Sequence, residues 1–190
     1  MFSKILIKLI DQAIVPAILL LVTRIVTMIV FSRFMNVTYQ ITNSGFLFDN
    51  QADYVQVNSY SVLSMIIVLA FGVFYILLKS IVFHDSHVTP QMTTKLFTLR
   101  LSSFIQTSYD LYSQGAVWLV YIYFMFFLTI LLAFFGVIHT WVFFAALVLT
   151  LGSTVAMVFD IEQELDIDDG ITEILEIEED YVLKFDGENE

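Results

Sequence analysis

Two sets of polar residues in this chain have types and spacings that could support chemistry. The first is His84, Asp85 and His87, since imidazole and carboxylate groups are common metal ligands. No second cluster of such residues lies nearby in sequence, and the chain has no cysteine, which excludes disulfides, thiolate metal sites and thiol catalysis. There is also no glycine-rich phosphate loop, no serine–histidine–aspartate pattern and no pair of catalytic carboxylates. We therefore expect an ordinary polar loop at 84–87, and no catalytic residue, metal or cofactor.

The second set is centred on Arg24, which interrupts a long apolar run. A guanidinium near mid-bilayer costs at least about 2.5–3.5 kcal/mol unless it is paired, and the other apolar runs contain no Asp or Glu. Four kinds of neighbour would satisfy it: carbonyls and hydroxyls of the same bundle, a carboxylate of another subunit, an anion in a wet cavity, or lipid headgroups if the residue rides higher. The predicted intramembrane polar set that binds a partner or solute is Arg24, Thr23, Thr27, Asp11, Tyr75 and Lys79.

Four apolar runs, over residues 9–34, 60–83, 115–136 and 138–159, must position these side chains. Each reaches the roughly 20 residues that a helix needs to cross about 30 Å of hydrocarbon. The chain is 58% hydrophobic and only 14% charged, an excess that lipid rather than a small soluble core must cover. The sequence therefore predicts an all-α transmembrane bundle of four helices over residues 1–159. Pro16 is expected to kink the first helix, with a neighbouring helix satisfying the freed carbonyl.

Small and polar residues inside the spans indicate where helices pack. Ser61, Ser64, Gly72, Tyr75 and Lys79 share one face of the second helix, which favours packing against a neighbour, with a pore lining as the alternative. Trp118 and Trp141, near the starts of spans three and four, fit interfacial aromatic belts.

Lysine and arginine predict the orientation of the bundle. Lys4 and Lys8 precede the first span, and three more basic residues (Lys79, Lys95 and Arg100) belong to the connection between spans two and three. The opposite side has Arg33 alone, so both termini are expected in the cytoplasm, N-in and C-in, in what is expected to be a bacterial cytoplasmic membrane.

The two longer connections differ in kind. The outer loop, 36–59, contains strand-like alternation before Asn43, which predicts either a small hairpin or an interfacial loop with aromatic anchors. The inner connection starts a helix at Thr89-Pro90 and is amphipathic over 90–112. We expect this helix to lie on the inner leaflet, with Lys95 and Arg100 near anionic lipid. The alternative is a helix packed beneath the bundle.

Residues 160–190 form an acidic tail. They hold 14 acids and one lysine, for a net charge of −13, whereas residues 1–159 carry +2. Two interpretations remain open: a disordered solubilising tail, or a segment that docks on a basic partner through an apolar stripe. The residues of that stripe are Ile171, Ile174, Leu175, Val182 and Phe185.

Two stretches resemble the RDD family of small multi-pass bacterial membrane proteins. Lys4 precedes Leu9-Ile10-Asp11 as a basic residue precedes Leu-Ile-Asp in that family, and Thr89-Pro90 followed by Lys95 to Leu101 is similar to its Thr-Pro-Gly-Lys…Gly-Leu-Arg segment. The departures are a Lys in place of the family's Arg, Gln91-Met92 in place of Gly-Lys, and no counterpart to its late His-Asp segment. The resemblance covers residues 4–101 and implies a role in transport, with Lys4, Asp11 and Arg100 as the residues to test.

These features together predict a non-enzymatic integral membrane protein that acts as a subunit or partner-binding element of a membrane assembly. Its partners would be membrane lipids and either another protein or further copies of itself, whereas the sign of the tail disfavours nucleic acid. The alternative function is a small oligomeric ion or solute transporter or channel, with Arg24 and the span-two stripe lining the path.

Overall fold

The computed structural model describes residues 2–43, 45–83 and 108–162. Helix α1 is Phe2–Phe34, strand β1 is Tyr39–Thr42, strand β2 is Gly45–Phe48, helix α2 is Gln51–Phe83 and helix α3 is Ser108–Phe134. The last described helix, α4, covers Thr140–Glu162. The chain divides into two compact units, Met1–Thr154 and Val155–Glu190. All contacts given below lie within the first unit, and of the second the structure describes the end of α4.

Four described helices are long and apolar enough to cross a membrane, over Ile7–Phe34, Gln51–Ser80, Asp110–Phe134 and Thr140–Glu162. This confirms the predicted four spans and makes the chain a multi-pass helical membrane protein. Large apolar side chains cover the outward faces, for instance Leu21, Phe71 and Phe127, because lipid is their solvent. Every backbone polar group inside hydrocarbon must find a partner, and a helix provides those partners within its own segment.

The core lies where α1, α2, α3 and the start of α4 meet. Its most enclosed members include Ile66, Leu69, Ile122, Val142 and Ala146. Trp118 belongs to this core and is 8% exposed, so its prediction as an interfacial belt residue is wrong. Its indole fills the space beside Gly72 on α2, where a Cβ atom would overlap the six-membered ring. Trp141, in contrast, is 42% exposed and packs its ring 5.7 Å from that of Tyr60.

The loop between α1 and α2 forms an antiparallel hairpin, which is one of the two predicted arrangements. Tyr39 pairs with Phe48 and Ile41 with Phe46, so these four side chains share one face of the ribbon. The ring of Phe48 packs 5.6 Å from that of Tyr54 on α2. We call this end of the bundle the hairpin end, and the end where α1 begins the terminal end.

Helix α2 begins at Gln51, nine residues before the predicted span. Its first turn is polar, which hides it from a hydropathy reading, but Asn50 caps it: the Asn50 side-chain oxygen accepts a hydrogen bond from the Ala52 amide at 3.1 Å. Asp53 in the same turn complements the helix dipole. The prediction that residues 36–59 form a loop is therefore wrong for residues 51–59, which belong to α2.

Helix α3 also begins earlier than predicted. Residues 108–112, which were expected to end an interfacial helix over 90–112, are the first turns of α3. Asp110 lies in that first turn and is held there by the contact with α1 described below. The rest of the predicted interfacial helix lies outside the described residues.

Two helices end on a residue with positive φ. Gly136 (φ 67°) follows α3, and the Val137 amide reaches back 2.9 Å to the Leu132 carbonyl. Asn36 (φ 55°) follows α1, and the Val37 amide reaches the Ser32 carbonyl at the same distance. Both bonds satisfy carbonyls that the helix end leaves open, with Gly and Asn as the residues that best tolerate this conformation. Each turn sends the chain into its next element within a few residues.

Candidate functional site: the inward face of α1

A stripe of α1 is buried or half-buried from Lys8 to Ser32. Its residues recur at every fourth position, so each lies about one turn above the last and about 40° further round the helix. These residues are Lys8, Gln12, Pro16, Leu20, Arg24, Met28 and Ser32. Pro16, Leu20, Met28 and Ser32 are buried, and the other three are half-buried. Polar groups therefore stand at both ends of this stripe, with Pro16 and Leu20 between them.

At the terminal end, α1 is tied to α3 by charge. The Lys8 ammonium forms an ion pair with the Asp110 carboxylate, and one turn on the Gln12 amide nitrogen donates to the Ser113 hydroxyl at 3.3 Å. The separation in sequence is nearly the same in the two contacts, 102 and 101 residues. The residue numbers therefore rise together along both helices, so α1 and α3 run parallel with their starts side by side. The Lys8 and Asp110 side chains are 42% and 37% exposed, as expected where the helices leave the hydrocarbon.

A hydroxyl from the neighbouring helix bonds the backbone of α1 close to Pro16. Because proline has no amide hydrogen, it leaves the carbonyl four residues before it, that of Gln12, without its helical hydrogen bond. The Tyr121 hydroxyl on α3 donates to the Ala13 carbonyl at 3.1 Å. This bond joins α3 to α1 next to the freed Gln12 carbonyl, and the predicted partner for that carbonyl itself stays a prediction.

Towards the hairpin end, α1 is joined to α2 through hydroxyl groups. The Thr27 hydroxyl lies 2.8 Å from that of Ser61, and it also donates to the Thr23 carbonyl at 2.6 Å. The rings of Phe31 and Tyr60 stack one turn further on, with 5.3 Å between centroids. These two contacts fix the antiparallel register of α1 and α2. Thr23 and Thr27, both members of the predicted polar set, lie half-buried on α1.

Arg24 is half-buried one turn before Thr27, and the Tyr54 side chain lies near enough to interact with its guanidinium. Its Nη1 atom is buried and has no hydrogen-bond partner among the residues that the structure describes. Among the described residues, the neighbour of the Arg24 guanidinium is thus a hydroxyl group of the same bundle. This is one of the four kinds of neighbour that the sequence left open. A hydroxyl group does not supply the opposite charge that a carboxylate would, so this contact gives Arg24 no counter-ion among the residues that the structure describes.

Two more polar atoms near the hairpin end are buried without a partner in the described ranges, Ser32 Oγ and Asn58 Oδ1. Asn58 is 1% exposed, and its amide nitrogen donates to the Val137 carbonyl at 2.9 Å, in the turn between α3 and α4. Ser59 supports the same turn, since its hydroxyl accepts from the His139 amide at 2.8 Å. Buried polar atoms are almost always satisfied in proteins, so Ser32 Oγ and Asn58 Oδ1 are exceptions among the residues that the structure describes.

The structure does not bring the remaining predicted polar residues together with Arg24. Asp11 is exposed on the outward face of α1. Tyr75 is 60% exposed on α2, and Lys79 is half-buried one turn further along. Of the predicted α2 stripe, Ser61 bonds Thr27 and Gly72 receives Trp118, so this part of the stripe packs against neighbouring helices.

Several predicted residues lie outside the described residues. These are the lipid-surface residues Lys95 and Arg100, the tail residues Ile171, Ile174, Leu175, Val182 and Phe185, and the cluster His84, Asp85 and His87. In the ranges that the structure does describe, no group of three or more His, Asp or Glu side chains is placed to hold a metal ion.

Sequence reasoning missed Lys8, Asp110 and Tyr54 as site residues. The sequence contained a signal for Lys8 and Asp110. The distribution of lysine and arginine predicts an orientation that places both residues on the cytoplasmic side of the membrane, each at the edge of an apolar run. For Tyr54 there was no such signal, because the predicted loop contained it.

No protein-family model matches the chain, and no curated protein or solved structure is similar enough to it to indicate a shared family or fold.

Proposed function

We propose that this protein is a non-enzymatic subunit or partner-binding element of a membrane assembly, with both termini in the cytoplasm of a bacterial cell. The observation that carries the proposal is the position of Asp11. It lies inside the candidate span Ile7–Phe34 and is exposed on the outward face of α1. Its neighbours on that face are large apolar side chains, among them Ile7, Ile14, Val15 and Ile18, each between 46% and 59% exposed.

A carboxylate on a lipid-facing helix surface is costly. Asp11 lies four residues into the span, about 6 Å along the helix axis, so the cost is below the roughly 2.5–3.5 kcal/mol of a mid-bilayer charge. A basic or hydrogen-bonding residue on another helix would remove that cost, and ionisable residues in membrane helices commonly face such a partner. The partner helix is therefore expected to pack along the terminal half of α1.

Gly152 offers a second place for close approach. It is exposed on α4, and a Cβ atom built on it meets nothing within 4 Å. Small residues at membrane helix surfaces let two backbones approach closely. The acidic tail would add a third contact, with the stripe from Ile171 to Phe185 folding onto a basic surface of the partner.

The test is affinity purification from native membranes in mild detergent. The wild-type chain should retain a partner protein or further copies of itself, and Asp11→Asn should reduce the retained amount. Asp53→Asn is the control, because Asp53 is a half-buried acid in the first turn of α2 at the hairpin end, away from the terminal half of α1. Deletion of 160–190 should also weaken retention. Recovery of a lone monomer from native membranes contradicts the proposal.

The second candidate function is a small oligomeric transporter or channel, and Arg24 favours it because it has no counter-ion among the described residues. Trp118 occupies the space beside Gly72, so any path would follow α1 rather than the whole predicted α2 stripe. Arg24→Ala should then abolish ion or solute flux into liposomes. Flux that is unchanged in this variant, or absent from the wild-type protein, removes the candidate.

The resemblance to the RDD family supports the same alternative, since transport is what it implies. Lys4, Asp11 and Arg100 are the residues that carry the likeness, and substituting each by Ala in the flux assay tests it. The lipid-surface role of Lys95 and Arg100 is tested separately, by the binding of Lys95→Gln and Arg100→Gln variants to anionic vesicles.

A further inference from the structure

Helix α2 carries a groove on its lipid-facing side. The groove has a volume of about 320 Å³, and the residues that line it are Ile67, Ala70, Phe71 and Phe74 of α2 and Leu149 of α4. Phe71 and Phe74 are 67% and 54% exposed, so the groove opens outwards rather than into the core. Its volume is at the lower end of the range for ligand pockets, which is about 300–1,000 Å³. The groove therefore has room for one small ligand.

Helix register places the groove near the middle of the bilayer. At the hairpin end, the Ser59 hydroxyl of α2 accepts a hydrogen bond from the His139 amide, where α4 begins. Leu69 and Leu149 follow these two residues by ten positions each, which is about 15 Å of helix axis. Leu149 lines the groove at that level, so α2 and α4 run parallel to each other. Because the hydrocarbon is about 30 Å thick, the groove lies at the depth where the acyl chains of the two leaflets end.

The lining determines the chemical class of the ligand. All five lining side chains are apolar, so burial of a polar ligand there would not be compensated by side-chain hydrogen bonds or charge. At this depth the surrounding solvent is lipid hydrocarbon. An empty groove would forfeit the dispersion contacts that its walls could make. The ligand that fits these conditions is a hydrocarbon chain.

The shape of the groove favours a single chain over a second helix. A helix with its side chains is about 10–12 Å across, and membrane helices approach each other closely through small residues. Phe71 and Phe74 are large and exposed, so they hold a neighbouring helix away from the α2 surface. Ala70 contributes only a methyl group to the lining, which leaves space for a narrower occupant.

We propose that this groove binds one acyl chain of a bilayer phospholipid, close to the methyl end of the chain. The headgroup of that lipid lies at the membrane surface, about 15 Å from the groove. The site therefore selects lipids by the acyl chain and not by the headgroup. This site does not depend on the partner assembly proposed above.

The first test counts the lipids that the full-length protein retains. The protein is purified in mild detergent with added phosphatidylcholine and analysed by native mass spectrometry. Ala70→Phe places a ring in the groove and should remove one retained lipid per chain. Phe74→Ala should do the same by removing a wall, and the core stays intact because Phe74 is exposed. Val120→Phe should retain the wild-type number, since Val120 is 66% exposed on α3 and does not line the groove.

The same comparison with phosphatidylglycerol tests the selection by chain. The difference between the wild type and Ala70→Phe should again be one lipid per chain, because the groove does not contact the headgroup. A difference that appears with only one of the two lipids would contradict the proposal.

A photoreactive lipid locates the bound chain. Phosphatidylcholine with a diazirine near the methyl end of one acyl chain is added to the protein and irradiated, and mass spectrometry identifies the labelled residues. Residues 67–74 should be labelled more strongly than Phe124, which is 61% exposed on α3. A diazirine next to the carboxyl end of the chain should not label residues 67–74.

Three results would overturn the proposal. The first is that Ala70→Phe and Phe74→Ala retain as much lipid as the wild type. The second is that the chain-end diazirine labels residues 67–74 and Phe124 equally. The third is that Ala70→Phe releases a second copy of the chain instead of a lipid, which would make this face an interface between copies.

Discussion

The hydroxyl groups of Thr27 and Ser61 lie 2.8 Å apart, across the interface between α1 and α2. Hydrogen bonds between membrane helices contribute about 0.6 kcal/mol on average and up to about 1.7 kcal/mol. Ser61→Ala and Thr27→Val should each lower the free energy of unfolding by that order, and the double variant by less than the sum. A double-mutant cycle in detergent measures the coupling. Ser64→Ala is the control, because among the described residues the Ser64 hydroxyl bonds its own helix, at the Tyr60 carbonyl. Strict additivity would contradict the contact.

Gly72→Ala should destabilise the bundle because the new methyl group overlaps the Trp118 indole. Overpacking of this kind costs about 1–3 kcal/mol, as the core must shift to admit it. Thermal unfolding in detergent measures the change. Gly152→Ala gives the comparison, since the space beside Gly152 is open and the substitution should be neutral or slightly stabilising. Equal melting temperatures for Gly72→Ala and the wild type would show that Trp118 does not pack there.

The side-by-side starts of α1 and α3 predict a specific cross-link. Gln12→Cys combined with Ser113→Cys should be joined by a short bifunctional thiol reagent, because the two native side chains are 3.3 Å apart. Gln12→Cys combined with Asp53→Cys should not, because Asp53 lies in the first turn of α2, at the hairpin end. Protease cleavage followed by gel electrophoresis reads the result. If the Gln12→Cys and Asp53→Cys pair were cross-linked and the Gln12→Cys and Ser113→Cys pair were not, α1 and α3 could not lie side by side as described.

The predicted orientation, with both termini in the cytoplasm, is tested by labelling intact cells. A membrane-impermeant maleimide should label Gln40→Cys on the hairpin and leave Glu162→Cys at the end of α4 unmodified until the cells are opened. Both positions are exposed, so access to the thiol does not limit the reaction. Labelling of Glu162→Cys but not Gln40→Cys in intact cells would show that the bundle has the opposite orientation. The positive-inside argument would then fail for this chain.

The existence of the four spans could be predicted from the sequence, because lipid imposes a length and a composition that few other structures share. The boundaries could not be predicted as well. The first turns of α2 carry Gln51, Asp53, Gln56 and Asn58, which read as a loop, although Asn50 stands before them as a capping residue. Hydropathy detects the part of a helix that lies in hydrocarbon, and caps decide where the helix begins.

The sequence identified some of the site residues, but it did not predict which residues contact each other. Arg24 was recognisable as a cation in need of a partner, but its neighbour Tyr54 lies in the first turn of α2, which the sequence predicted as loop. Gly72 was placed on a packing face, while Trp118, assigned to the membrane surface, turned out to be its neighbour. Contacts of this kind depend on how helices rotate against each other, which apolar periodicity leaves undetermined when lipid covers the remaining sides.

The ion pair between Lys8 and Asp110 also bears on biosynthesis. Asp110 is made 102 residues after Lys8, an interval of roughly 5–20 s at ordinary rates of translation. Throughout that time the lysine, and Gln12 one turn beyond it, have none of their α3 partners. The terminal end of the first helix is thus among the last parts to be secured, although the Thr27–Ser61 contact can join its other end to α2 much earlier.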